Sequence, residues 1–291
     1  MSQFRVGAGP GIGADSSVAR GIAETGLGSV PLTLPDRAYF ALVGLFAFWV
    51  GLWGFFLPTE VDKALPWLVP PLHARVIGAF YISGLVLMMA CLVQRDRRRV
   101  AVGLRIAVVW TGMLLLASLF HLGEFDPDNP RVWFWFFAYV LFPVWGAWLV
   151  WHGRGQTPFP STPAPSWMSA FFLLQGIGCC ALALVLLLAP SAMAGLWPWK
   201  VTVLLAQIYA GPFLSYGIGS LLLTRPVHAG EIGMVAGAMM TFVALVIAAS
   251  LLHSDLLPLS SSAVIVWFAG LAASGLLLAL VLVDRIRASR G

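Results

Sequence analysis

The sequence predicts an all-α polytopic membrane bundle of eight transmembrane helices, built as two parallel four-helix repeats. Three observations carry that expectation. Only 10% of the residues are charged while 60% are hydrophobic, against about 25% charged in ordinary soluble domains. The apolar residues fall in long blocks, each close to the ~20 residues that cross a bilayer. Sliding the chain by 132 residues also lays one half over the other without a gap. In hydrocarbon every backbone N–H and C=O must be paired within the protein, which leaves helices or closed barrels. Barrel strands alternate apolar and polar residues, and these blocks are continuously apolar, so the spans are helical.

The predicted spans are residues 36–57, 75–93, 100–121, 132–152, 167–189, 201–223, 229–252 and 263–283. Residues 1–34 are rich in Gly, Ala and Ser and have no apolar run of the kind a secretory signal needs; they read as a flexible cytoplasmic tail. Residues 35–153 form the first repeat and 167–285 the second. Between them, residues 154–166 carry Pro158, Pro160, Pro163 and Pro165 and read as an extended cytoplasmic linker. Residues 286–291 are a short basic tail.

Lys and Arg in short loops stay on the cytoplasmic side. With Arg95–Arg99 inside, 13 of the basic residues share that side and 4 (Lys63, Arg75, Arg131 and Lys200) lie opposite. Both termini are then cytoplasmic in a cell (inner) membrane. The net charge of +5 is not a nucleic-acid signal, because the arginines Arg95, Arg97, Arg98 and Arg99 sit between spans, where they face anionic headgroups. The bilayer is the partner this composition demands. Cys91, Cys179 and Cys180 fall inside spans and read as small apolar residues.

The internal match is specific in its rarer residues. Gly44 meets Gly176, Pro58 meets Pro190, Pro66-Trp67 meets Pro198-Trp199 and Ser83 meets Ser215. Ala117-Ser118-Leu119-Phe120-His121 meets Ala249-Ser250-Leu251-Leu252-His253, and Trp135-Phe136 meets Trp267-Phe268. Four helices per unit give both units the same orientation, the parallel kind of repeat. His121 and His253 become symmetry partners near the outer face.

Candidate site residues follow from that symmetry. His121, Glu124, His253 and Asp255 offer nitrogen and oxygen ligands for Zn²⁺ or Cu²⁺, against the plainer reading that His and acidic residues mark where helices leave the bilayer. The two histidines are also conceivable axial ligands of a haem, although they stand at helix ends. Arg75, aligned with Gln207, is a functional candidate as an ionisable residue at a span and equally a snorkelling one. Trp135 and Trp267 mark the outer face, and Trp145, Trp148 and Trp151 recur at i+3 as a groove for a quinone or lipid tail or as an interfacial belt. Gly211-Pro212 interrupts the sixth span, as in cavity-lining transporter helices. Gly233 and Gly237, and Gly270 with Ser274, are small-xxx-small patterns that favour tight helix contact. Phosphate-loop, GxSxG and HExxH patterns are absent.

The signatures Pro66-Trp67, Ser118-Leu119-Phe120-His121 and Trp135-Phe136 resemble those of uncharacterised bacterial multipass membrane proteins with two four-helix repeats. The resemblance spans residues 36–285 and implies membership without an activity. Three functional classes remain: a non-enzymatic protein that binds or moves a small or lipidic ligand between the repeats, with Arg75, His121, Glu124, Trp135, Pro212, His253 and Trp267 as its candidate residues; a redox or metal-binding component using His121 and His253; and a structural subunit that docks a membrane-protein partner or a second copy. No cofactor is identified by any motif.

Overall fold

The computed structural model describes residues 30–67, 69–155 and 164–290. The expected N-terminal tail up to residue 29 and the prolines Pro158, Pro160 and Pro163 of the linker lie outside the described residues. Eight long helices follow one another: α1 (Leu34–Gly51), α2 (Pro71–Leu92), α3 (Ala101–Phe120), α4 (Pro130–His152), α5 (Ser166–Leu188), α6 (Val203–Leu223), α7 (Ala229–Leu252) and α8 (Ser262–Arg290). No strand occurs among the described residues. Seven of these helices are long and apolar enough to cross a membrane. The other, α6, has 21 residues; Gln207, Tyr209, Ser215, Tyr216 and Ser220 dilute its apolar character.

The helix starts are set by local chemistry. Thr33 caps α1 in a reciprocal capping box with Asp36, and Thr202 caps α6 through Leu205 N–H at 3.2 Å. Asn129 caps α4 through Arg131 N–H at 3.0 Å, with Pro130 at the first helical position. α1 ends in a π-helical turn, Leu52–Phe56, that brings Gly54 against Gly78. A Cβ on Gly78 would stand 2.3 Å from Phe55 N, so only hydrogen fits there.

Element boundaries recur 132 residues apart. Helix starts pair as Leu34 with Ser166, Pro71 with Val203 and Pro130 with Ser262, and α3 and α7 end at Phe120 and Leu252. The 3₁₀ turns Leu122–Glu124 and Ser254–Leu256 pair as well. Packing follows the same rule. α1 lies on α2 and α5 on α6, while α3 lies on α4 and α7 on α8. Between the halves, α2 packs on α7 and α3 on α6, whereas α2 barely touches α3, its neighbour in sequence.

The four central helices are held by groups a bilayer would not satisfy. Phe80 stacks on Phe242 with ring centroids 4.4 Å apart. Ser83 and Tyr216 share a hydrogen bond of 2.7 Å. The Tyr209 hydroxyl donates to His73 Nδ1 at 2.7 Å while His73 Nε2–H donates to the Lys200 carbonyl at 2.9 Å, a tautomer fixed by the carbonyl, which can only accept. Glu231, in the first turn of α7, accepts the Val102 N–H of α3 at 2.9 Å.

Two expectations differ from the structure. Arg97 and Arg98 do not simply face headgroups: Arg97 pairs with buried Asp36 at 3.0 Å and donates to the Leu149 carbonyl at 2.6 Å, and Arg98 pairs with Asp96 at 2.6 Å, holding that carboxyl below its usual range. Gly233, Gly237 and Gly270 make no tight contact, since a Cβ on any of them meets nothing within 4 Å. The close approaches lie instead at Gly44 against Met89 and Gly176 against Leu221, positions that again differ by 132.

Candidate functional site

The ends of the central helices remote from Arg97 and Arg98 carry two crossed polar pairs. Arg75 of α2 donates from Nη1 to His253 Nε2 at 2.5 Å, at the end of α7. His121, at the end of α3, donates from Nε2 to Gln207 Oε1 of α6 at 2.7 Å, and Gln207 Nε2 in turn donates to the Leu187 carbonyl at 2.9 Å. Arg75 and Gln207 differ by 132 positions, as do the two histidines, so each pair joins one half to the other. Arg75 is therefore engaged across the bundle rather than snorkelling alone. An imidazole can accept an arginine N–H only when neutral. Burial, then the Arg75 guanidinium, hold His253 below its ordinary pKa, with Asp255 opposing.

Each half also holds a space at the same place. In the first half a small space of about 40 Å³ is lined by residues that include Phe46, Tyr81, Trp110, Tyr139 and Phe142. A groove of about 580 Å³ between α1 and α4 shares Phe46 and Phe142 with it. In the second half a chamber of about 350 Å³ is lined by α5, α6, α7, α8 and the short helix Pro190–Leu196 with its following Trp197. Nine of the thirteen residues around the first-half void have their counterparts 132 positions on among the chamber's lining.

The difference in size has a residue-level cause. Phe46 corresponds to Gly178, Tyr139 to Leu271 and Phe142 to Ser274. Three rings that fill the first half are replaced by hydrogen, an aliphatic chain and a hydroxymethyl. Val266, Gly270 and Ser274, counterparts of groove residues Phe134, Ala138 and Phe142, line the same chamber as Phe213 and Phe242. The chamber lining is apolar save for a few groups such as Gln175, Tyr216 and Ser274, and its rim carries Leu196 and Val266, 68% and 70% exposed.

A smaller asymmetry agrees. In the first half Trp135 Nε1–H donates to Ser118 Oγ at 3.0 Å. In the second half the corresponding Trp267 Nε1 and Ser250 Oγ are buried without a hydrogen-bond partner among the described residues. Tryptophans at this end of the bundle nonetheless pair in both halves, Trp67 on Trp135 at 4.8 Å and Trp199 on Trp267 at 5.5 Å.

The residues singled out from sequence are thus dispersed. His121 and Glu124 line a cavity of about 490 Å³ with Asp126. His253 lies with Arg75, Asp255 is exposed, Trp267 lines the chamber, Trp135 is core, and Pro212 is buried within α6. Among the described residues no group of three or more His, Cys, Asp or Glu is placed to hold a metal ion, so His121, His253, Glu124 and Asp255 do not assemble into one cluster. Trp145, Trp148 and Trp151 form no groove: Trp145 packs on Tyr39 at 5.7 Å, while Trp148 and Trp151 are exposed. Steps of three residues rotate 60° backwards around a helix of 3.6 residues per turn, which turns the stripe off any single face. At mid-bundle the interface between the halves is filled by rings such as Phe80 on Phe242, and the apolar room lies inside the second half. Ser274, which lines that chamber where Phe142 stands in the first half, was legible only by asking where the two halves fail to match.

The fold and the apolar helices define a multipass helical membrane protein. No protein family, curated protein or solved structure matches the chain.

Proposed function

We propose that this is a non-enzymatic membrane protein that binds a lipidic ligand in the chamber of its second half, the first half serving as a filled scaffold. The single observation that carries the reading is the replacement of Tyr139 and Phe142, which line the narrow first-half space, by Leu271 and Ser274, which line a far larger apolar chamber. An apolar cavity with few polar groups suits a hydrocarbon chain, and a rim of exposed Leu196 and Val266 suits entry from lipid.

The architecture belongs to the same proposal: eight spans, two duplicated four-helix repeats and both termini in the cytoplasm. Recurrent element boundaries, the helix length of α6 and the crossed pairs Arg75–His253 and Gln207–His121 support the duplication. The bias of Lys and Arg toward one set of loops supports the orientation. The membership suggested by the Pro-Trp, Ser-Leu-Phe-His and Trp-Phe signatures remains part of the proposal.

Refilling the chamber tests it. Gly178→Phe with Ser274→Phe puts back two rings of the first-half pattern, and a Cβ at Gly178 meets nothing within 4 Å. Displacing two or three bound methylenes at about 0.8 kcal/mol each weakens binding of a fluorescent fatty-acyl probe by roughly tenfold or more, measured on the full chain in nanodiscs. Equal probe affinity in the folded double variant and the wild type would refute the chamber as the site.

A further inference from the structure

We infer a second, independent binding site at the opposite end of the bundle, a cavity of about 460 Å³ that takes a phosphate group. It lies where α3 and α7 begin and α4 and α6 end, and its lining includes Arg97, Arg98, Arg105, Arg225, His228 and Glu231. Guanidinium groups are the side chains best shaped for phosphate oxygens. The beginnings of α3 and α7 add the positive ends of two helix dipoles.

The arginines divide by what they already do. Arg97 and Arg98 are bound to Asp36 and Asp96. Arg105 spends one side-chain N–H on its own helix, at the Ala101 carbonyl 2.9 Å away, and the guanidinium of Arg225 has no hydrogen bond or ion pair to a described residue, its backbone N–H alone bonding to the Leu222 carbonyl. Neither has a carboxylate partner within salt-bridge distance, and both are exposed. The one carboxylate lining the cavity, Glu231, is buried with Oε1 on Val102 N–H. Once these acids are set against the four arginines, one positive charge remains, borne by two guanidiniums with donors to spare.

A purely topological role would not require this convergence. The positions 132 away from Arg97, Arg98, Arg105 and Arg225 are Ala229, Gly230, Gly237 and Val93, so these four charges gather on one flank. Arg105 and Arg225 come from different halves and meet only in the folded bundle. The chemistry is that of a phosphate ester or inorganic phosphate, supplied by an anionic headgroup or from solution.

The full chain is tested in detergent by native mass spectrometry for retention of phosphatidylglycerol against phosphatidylcholine, and by calorimetry with inorganic phosphate. Wild type is expected to retain phosphatidylglycerol selectively or to bind phosphate, and Arg105→Gln with Arg225→Gln to weaken that binding roughly tenfold or more with an unchanged unfolding midpoint. Arg154→Gln, outside the cavity, is the control and stays within about twofold. Selective lipid retention without phosphate binding assigns a headgroup site; phosphate binding that competes with the lipid assigns a soluble phosphate site. Equal retention by wild type and the double variant, or an equal loss in the control, would overturn the inference whatever happens at the chamber.

Discussion

At His253 the electrostatics of a single bond become measurable. Its Nε2 accepts from Arg75, which requires the neutral ring, and burial with the adjacent guanidinium depresses its pKa. A base that binds its proton less readily folded than unfolded stabilises the fold above its ordinary pKa of about 6.5 and loses that contribution as pH falls through it. The unfolding midpoint of wild type is therefore expected to drop between about pH 7 and pH 5 more steeply than that of His253→Gln, which keeps an acceptor without the titration. Identical pH profiles for the two proteins would remove the assignment. Both residues were visible in the sequence as ionisable groups at helix ends, and the 132-residue register even aligned Arg75 with Gln207. That they cross to the opposite half was hidden, because sequence alignment relates equivalent residues and says nothing about which of them touch.

Glycines decide how closely the helices approach, and patterns alone chose the wrong ones. The Gly233-xxx-Gly237 spacing has the form of a contact motif yet faces open space, whereas Gly78 meets the backbone of Phe55. Gly78→Ala is expected to cost about 1–3 kcal/mol as an overpacked contact, read by unfolding in mixed micelles, while Gly233→Ala gains a fraction of a kcal/mol from helix propensity. Equal effects would show that the Gly54–Gly78 approach is not tight. The Gly44 and Gly176 match was legible, since both survive in register and both seat the neighbouring helix. α6 shows the converse: its polar and small residues lower its apolarity because 15 of its 21 residues are buried in the bundle, away from any lipid.

On the scale of the whole molecule, the halves are interlaced rather than set side by side. α2 rests on α7 and α3 on α6, so neither half has a complete set of neighbours alone. A chain divided between Gly155 and Ala164 and co-expressed is expected to yield fragments that co-purify in detergent through an affinity tag on one of them. Fragments that remain helical but separate would contradict the interlaced packing. The Phe80–Phe242 stack is the place to weaken this interface, with Phe80→Ala costing about 3–5 kcal/mol by the usual scale for a buried ring in the same unfolding measurement.

What the sequence determined by itself was the class of solvent and the outline of the chain. Runs of apolar residues long enough to cross a bilayer, with too few charges to cover a water-soluble surface, dictate helices, because only helices satisfy their own backbone in hydrocarbon. It also set the approximate span limits and the register that relates His121 to His253, while the caps at Thr33, Asn129 and Thr202 emerged only from the structure. Tertiary structure alone decided which helices meet and where space is left. Those outcomes depend on side-chain volumes summed across elements distant in the chain, so that Leu271 and Ser274 line a chamber only once α8 stands against α5, α6 and α7, where their first-half counterparts Tyr139 and Phe142 leave a narrow space.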